Sequence, residues 1–176
     1  MMKTIIRFIS FIMICIIIGG FSSCKSHKKM QEETPVTEHT IKHKDKKGKS
    51  LGEKIAEEAL TWIGTPYAYG KQGKGSGTDC SGLTMTVYLE VAEIKIPRNS
   101  AKQAEFCKDL KAEEVKAGDL VFFATGKSAD KVSHVGVMID ANKFVHASSS
   151  KGVVVSDMGQ SYYKRTFVKF GRVPSM

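Results

Sequence analysis

Thr78-Asp79-Cys80-Ser81-Gly82-Leu83 opens an apolar-periodic segment directly after a glycine-rich loop. A cysteine in that place sits in the first turn of a predicted helix. Unpaired backbone N–H groups and the helix dipole favour negative charge there. The Cys80 thiol is therefore expected to ionise more readily than a free one, whose pKa is about 8.5. Two histidines lie downstream, His134 and His146, each inside a strand-like run. A cysteine followed by distant histidines is the pattern of a thiol nucleophile with an imidazole base. His134 can take the thiol proton and hand it to a leaving amine. His146, across an apparent hairpin, can hold the far nitrogen of His134 and set its tautomer, as the third member of a triad does.

The elements that must position these groups read as helices first and strands after. Ser50 with Glu53 forms a capping-box pattern, and Ile55, Ala59 and Ile63 mark one helical face that Gly64 ends. Thr65 to Gly77 reads as a loop. Asp79 can N-cap a second helix with Leu83, Val87 and Val91 inward. Ser100 with Gln103 reads as a capping box for a third, in which Ala104, Cys107 and Leu110 share a face. Leu120–Ala124, His134–Ile139, Lys143–Ala147, Val153–Ser156 and Phe167–Val173 then read as strands between turns. That order predicts an α+β fold, with N-terminal helices packed on a largely antiparallel sheet.

The start of the chain reads as an export signal. Lys3 and Arg7 precede an apolar run, Phe8 to Phe21, of 14 residues. A membrane span needs about 20, whereas a signal core is shorter. Ser22 and Ser23 then precede Cys24. That layout resembles a bacterial lipoprotein signal over 1–23, with Cys24 carrying lipid; the plain alternative is a secretory signal in which Cys24 is incidental. A tether follows to residue 50, and residues 51–176 are one domain's worth of chain.

Export also decides how the cysteines are read. Cys15 leaves with the signal, so Cys80 and Cys107 remain, in a compartment where disulfides are normal. A Cys80–Cys107 bridge is one reading; a buried, inert Cys107 thiol is the favoured one. There is no CxxC pair, so no metal site built on cysteines is expected. The net charge of +9 is concentrated before the domain: residues 25–50 hold eight lysines against four acids. An exported chain does not meet nucleic acid, so this charge reads as a solvated linker beside anionic lipid or wall polymer. His27, His39 and His43 lie in it and are expected to be exposed.

The domain from about Glu53 to Val173 resembles the NlpC-type bacterial cell-wall cysteine peptidases. The likeness is carried by Gly64-Thr65-Pro66-Tyr67 with Tyr69-Gly70, by Asp79-Cys80-Ser81-Gly82-Leu83 and by Pro97-Arg98. It continues in Gly118-Asp119-Leu120-Val121-Phe122-Phe123, Ser133-His134-Val135-Gly136-Val137 and Phe144-Val145-His146-Ala147-Ser148. The lipoprotein layout, the histidine third member and Gly152-Val153-Val154-Val155-Ser156 are most similar to the murein endopeptidases of that family. The resemblance implies a compact papain-like core. Cys80 would be the nucleophile, His134 the base and His146 its orienting partner. Tyr67 would line the site and help bind the oxyanion, or simply pack its ring. Asp79 and Ser81 would flank the substrate peptide, although Asp79 has the plainer task of capping the helix. Arg98 is either a surface charge or a contact to a substrate carboxylate. The chain departs from the family pattern at Lys71-Gln72-Gly73 and in a longer Gly/Lys loop before Thr78. Those changes bear on loop shape and substrate fit rather than on the triad.

The resemblance implies a monomeric enzyme without metal or cofactor, acting on peptidoglycan stem peptides. It would be held by Cys24 to a bacterial membrane, the outer membrane facing the periplasm. Two bonds fit: the D-alanyl–diaminopimelate cross-link and the γ-D-glutamyl–diaminopimelate bond. The rival readings are a catalytically silent wall-binding module and an amidase or acyltransferase on a non-wall substrate.

Overall fold

A computed structural model describes residues 48–174 and 176. The signal segment, Cys15, Cys24, His27, His39, His43 and the tether up to residue 47 lie outside the described residues. Helix α1 spans Leu51–Leu60. Its N-terminus is the expected capping box: Ser50 Oγ accepts from the Glu53 N–H, and the Glu53 carboxylate accepts from the Ser50 N–H. Ile55 and Ala59 face inward and are fully buried. Ile63 is not on that face, being 51% exposed. The helix stops at Leu60, so the rotation per residue that would turn Ile63 inward no longer applies, and Trp62 is buried instead. Gly64 closes the turn at φ +87°, and its N–H donates to the Val153 carbonyl.

The glycine-rich loop contains a small antiparallel ribbon, β1 (Gln72–Gly73) and β2 (Gly77–Thr78). Helix α2 spans Cys80–Ala92 and is capped by Asp79, whose side chain accepts from the Gly82 N–H. Leu83 and Val87 are fully buried, and Val91 is half-buried. Helix α3 spans Ser100–Phe106. Its cap is Asn99 rather than Ser100: the Asn99 Oδ1 accepts from the N–H groups of Ala101 and Lys102. Ser100 is already the first helical residue, one position past the extended Asn99, so the Ser100–Gln103 box does not form. Gln103 is instead fully buried, donating to the carbonyls of Ser81 and Pro97 and bonded to the Thr84 hydroxyl. The helix also ends before Cys107. Residues Lys108–Leu110 form an edge strand, β3, so Ala104, Cys107 and Leu110 do not share a helical face.

The main sheet is completed by β4 (Leu120–Phe123), β5 (His134–Met138), β6 (Lys143–Ser148), β7 (Gly152–Asp157) and β8 (Phe167–Arg172). Its order is β3-β8-β4-β5-β6-β7, and every pairing is antiparallel. A short helix that the hydrophobic pattern does not announce, α4 (Ser161–Thr166), joins β7 to β8. The architecture is the expected α+β.

Strand alternation divides the core in two. Val135, Val137, Val145, Ala147 and Val153 face α1 and α2, packing with Ile55, Leu83, Val87 and Trp62. Val121, Phe123, Met138 and Phe144 face the other way and pack with Tyr163 and Phe170. Each large apolar side chain removed from water here contributes about 1.5–3 kcal/mol before entropy is counted. The second cluster is aromatic, and it surrounds the ring of His146.

Candidate active site

Cys80 is the first residue of α2 and is 8% exposed. Its sulfur is met by the backbone N–H groups of Val135, Ser81 and Cys80 itself. Two of these belong to the helix start. The third belongs to β5, one residue past His134, whose ring lines the same cavity as Cys80. Cys80, His134 and His146 line one cavity of about 530 Å³.

The sequence expectation for the thiol is overturned. Burial pushes the Cys80 thiol up from its ordinary range, and the charge of Asp79 adds to this. The three N–H groups pull the other way without reversing it. Desolvation of the charged form outweighs the helix end at this depth. Burial also lowers both imidazoles, His134 to about 4 and His146 to about 3, the latter also through His134. Burial thus favours the neutral form of the thiol and of both imidazoles.

His134 Nε2 and His146 Nδ1 share a hydrogen bond of 2.8 Å, with the rings nearly perpendicular at 87°. That contact uses the far nitrogen of His134 and leaves Nδ1 as the nitrogen that can serve the thiol. Gly136 makes the contact possible. It lies between His134 and Met138 on the same face of β5. A Cβ there would stand 2.6 Å from the Phe144 ring and 3.3 Å from the Cβ of His146. The missing side chain is the space against which the Phe144 ring and the His146 Cβ pack. On its other nitrogen, His146 Nε2 is 3.0 Å from Ser156 Oγ and 3.0 Å from the Tyr163 hydroxyl. Tyr163 lies in no motif, and Ser156 ends the Gly152-Val153-Val154-Val155-Ser156 run without that run giving it a role. Ser156 stands on a strand and Tyr163 on the unforeseen α4.

The remaining expected residues converge on the opposite side of Cys80. Tyr67, Tyr69, Asp79, Ser81 and Arg98 line a second cavity of about 550 Å³ that also reaches Cys80. Asp79 is 5% exposed, and its carboxylate is fully engaged. Oδ1 accepts from the Gly82 N–H and from Arg98 at 2.8 Å each; Oδ2 accepts from the Gly70 N–H and from Arg98 at 2.7 Å each. Burial alone would raise this carboxyl, but the Arg98 guanidinium and the two N–H groups outweigh it and hold it low. Arg98 is thus not a free surface charge. It also donates to Ser81 Oγ at 2.9 Å and to the Lys71 carbonyl. Its place after Pro97 announces none of this, because the partners lie up to 27 positions earlier in the chain.

Tyr67 lines both cavities. Burial raises its phenol, and the charges of Cys80 and Asp79 raise it further, so it stays a donor. Cys107 is the contrasting thiol: burial pushes it up to about 12, and both it and Cys80 are free rather than bridged. Among the described residues no helix is long and apolar enough to cross a membrane.

The chain is 29% identical to the murein DD-endopeptidase MepS/murein LD-carboxypeptidase of Escherichia coli K12, over 99% of this chain and 95% of that one. It is 35% identical to the probable endopeptidase NlpC of the same organism, over 68% of this chain and 76% of the other. Among solved structures, a Staphylococcus aureus protein described as similar to lipoprotein, of the NLP/P60 family, superposes with a TM-score of 0.62 at 33% identity. The match covers 70% of this chain and spans 41% of that one. The family model described as NlpC/P60 matches residues 64–172, a span that contains Tyr67, Cys80, Arg98, His134 and His146. The chain belongs to the NlpC/P60 family.

Proposed function

We propose that this chain is a peptidoglycan endopeptidase that cuts a stem-peptide amide through the Cys80 thiolate. The observation that carries the reading is the lining of one cavity by Cys80, His134 and the His146 that holds it, in a chain of this family. A silent wall-binding module has no use for a nucleophile, a base and a base-holder together. An acyl transfer on a non-wall substrate is not favoured by any relative named above.

In the proposed reaction, His134 Nδ1 takes the thiol proton as sulfur attacks the amide carbonyl. The oxyanion that forms is met by the Tyr67 hydroxyl, a donor because its phenol stays protonated. Collapse breaks the C–N bond, and the proton on His134 passes to the leaving amine, leaving a thioester. Water, deprotonated by His134, then cleaves the thioester and regenerates the thiol. Since His134 protonates the amine, the leaving half of the substrate belongs in the cavity that His134 lines, toward Ser148 and Lys151. The acyl half belongs on the side of Asp79, Ser81 and Arg98.

The bond we propose is the D-alanyl–diaminopimelate cross-link. A relative matched over nearly its whole length is named a DD-endopeptidase, and that cross-link joins two D-configured centres. We propose further that residues 1–23 are a lipoprotein signal. Cys24 would carry lipid, and the enzyme would face the periplasm from the outer membrane. Digestion of purified sacculi, with the fragments identified by mass, tests the reading. Separation of cross-linked dimers into monomers is expected. Cleavage only at γ-D-glutamyl–diaminopimelate would assign the other bond, and no release of muropeptides would overturn the proposal.

A further inference from the structure

Three polar groups meet behind the His134–His146 contact. His146 Nε2, Ser156 Oγ and the Tyr163 hydroxyl form a closed triangle with sides of 3.0, 3.0 and 3.1 Å. All three residues are buried. Around them stand Phe123 and Phe144, with the Phe144 and Tyr163 rings perpendicular at 4.9 Å. Among the described residues, Ser156 and Tyr163 are the hydrogen-bond partners of His146 Nε2.

The protons of the two rings are coupled. The 2.8 Å contact between the rings holds one proton, and burial favours the neutral form of each, which carries a single N–H. If it sits on His134 Nε2, then His134 Nδ1 is a bare lone pair and can act as base. His146 Nδ1 then accepts, and His146 must carry its own proton on Nε2. If instead the shared proton sits on His146 Nδ1, then His134 is protonated on Nδ1 and cannot take the thiol proton. What receives or supplies hydrogen at His146 Nε2 therefore decides whether His134 is a base.

We propose that Ser156 and Tyr163 are positioning residues that accept from the His146 Nε2–H, and so keep His134 Nδ1 free for the Cys80 proton. Ser156 Oγ accepts from Nε2–H, and Tyr163, the better donor, supports it by donating to Ser156. The arrangement also serves the charged stage. Once His134 has taken the thiol proton, the cation is shared toward His146, and Nε2–H meets two oxygen atoms instead of an apolar wall. A buried N–H left without an acceptor costs about 1–3 kcal/mol, and more when charged. The inference rests on His134 acting as the base of the proposed endopeptidase.

The test uses the full chain labelled with ¹⁵N in histidine. Two-bond ¹⁵N–¹H spectra at pH 7 distinguish a protonated ring nitrogen from a bare one. Both rings are expected to show bare Nδ1 and protonated Nε2. Ser156→Ala should move the His146 nitrogens toward a mixture of tautomers. The same change should lower kcat on sacculi about 10-fold or more, in line with outer partners of other site histidines, with little change in KM. Ser156→Thr, which restores the hydroxyl, should recover both the spectrum and kcat. Tyr163→Phe keeps the ring against Phe123 and Phe144 and removes only the hydroxyl; it supplies the same reading if Ser156→Ala does not fold. A wild-type His146 protonated on Nδ1, or variants with unchanged tautomer and kcat, would overturn the inference. If the wild type cuts no sacculi, the endopeptidase reading fails, while the ring-nitrogen pattern still decides the role of the two hydroxyls.

Discussion

His134 and His146 reach one another across Gly136, at 2.8 Å between Nε2 and Nδ1. Residues on adjacent antiparallel strands make such a contact only where nothing stands between them on that face. The hydrogen atom that glycine carries in place of Cβ is thus part of the site.

Gly136→Ala is accordingly expected to damage both fold and function. The new methyl would lie 2.9 Å from the Val145 carbonyl oxygen, which is backbone and cannot swing away. Overpacking of this kind costs about 1–3 kcal/mol. Urea unfolding should show that loss, and sacculus hydrolysis should fall at least about 10-fold as the two rings separate.

The two buried thiols should divide cleanly. Cys80→Ser is expected to abolish hydrolysis with the fold intact, because a serine hydroxyl is a far poorer nucleophile for this base. Cys107 lies outside both cavities, with its thiol pushed up to about 12. Cys107→Ser should keep wild-type turnover at some cost in stability. Circular dichroism beside a muropeptide-release assay checks both; turnover by Cys80→Ser would remove the nucleophile from its role.

His134→Ala should cost more activity than His146→Ala, since the first transfers the proton and the second orients it. His146→Asn or His146→Gln should retain more turnover than His146→Ala. The order of kcat values across the four variants is the measurement, and a reversed order exchanges the two roles.

Acid should weaken the domain through the same two rings. In the unfolded chain a histidine takes its proton near 6.5; in the fold, burial delays this to about 4 for His134 and about 3 for His146. Between those values the unfolded state holds more protons, so stability is present above about pH 6.5 and declines as pH falls toward 4 and below. His134 keeps part of its edge open to the cavity, so solvent reduces its share of the loss relative to that of His146. Urea midpoints of the wild type between pH 7 and 4, set beside those of His146→Gln, give the slope; a flat profile would mean that the rings ionise in place.

Cys24→Ala should release or mislocalise the protein while leaving hydrolysis by the purified enzyme unchanged. The 26 residues from Lys25 to Ser50 have no apolar periodicity. Under the proposed anchoring, lipid at Cys24 would limit where the domain searches without entering its chemistry. Metabolic labelling with a fatty acid checks the anchor: an unlabelled wild type would leave a simple secreted hydrolase.

Short-range order was readable in the chain because its causes are short-range. The Ser50 capping box, the Asp79 cap, the alternation of the strands and the Cys80…His134…His146 order each depend on residues a few positions apart, or on residue type alone. The departures from those expectations have physical reasons too. Asn99 and Ser100 are both good caps, and only the backbone bend before α3 chooses between them. Cys107 and Leu110 match a helical period, yet β3 pairs with β8, more than 50 positions away, and that ladder outweighs the local preference. Everything that tunes the site was decided by tertiary structure. Arg98 meets Asp79 from 19 positions away, and Tyr163 meets His146 from 17. Burial of Cys80 reverses the effect of its own helix end. Desolvation, countercharge and the packing of two rings over a glycine are properties of what surrounds a residue in space, and a linear order of residues does not contain them.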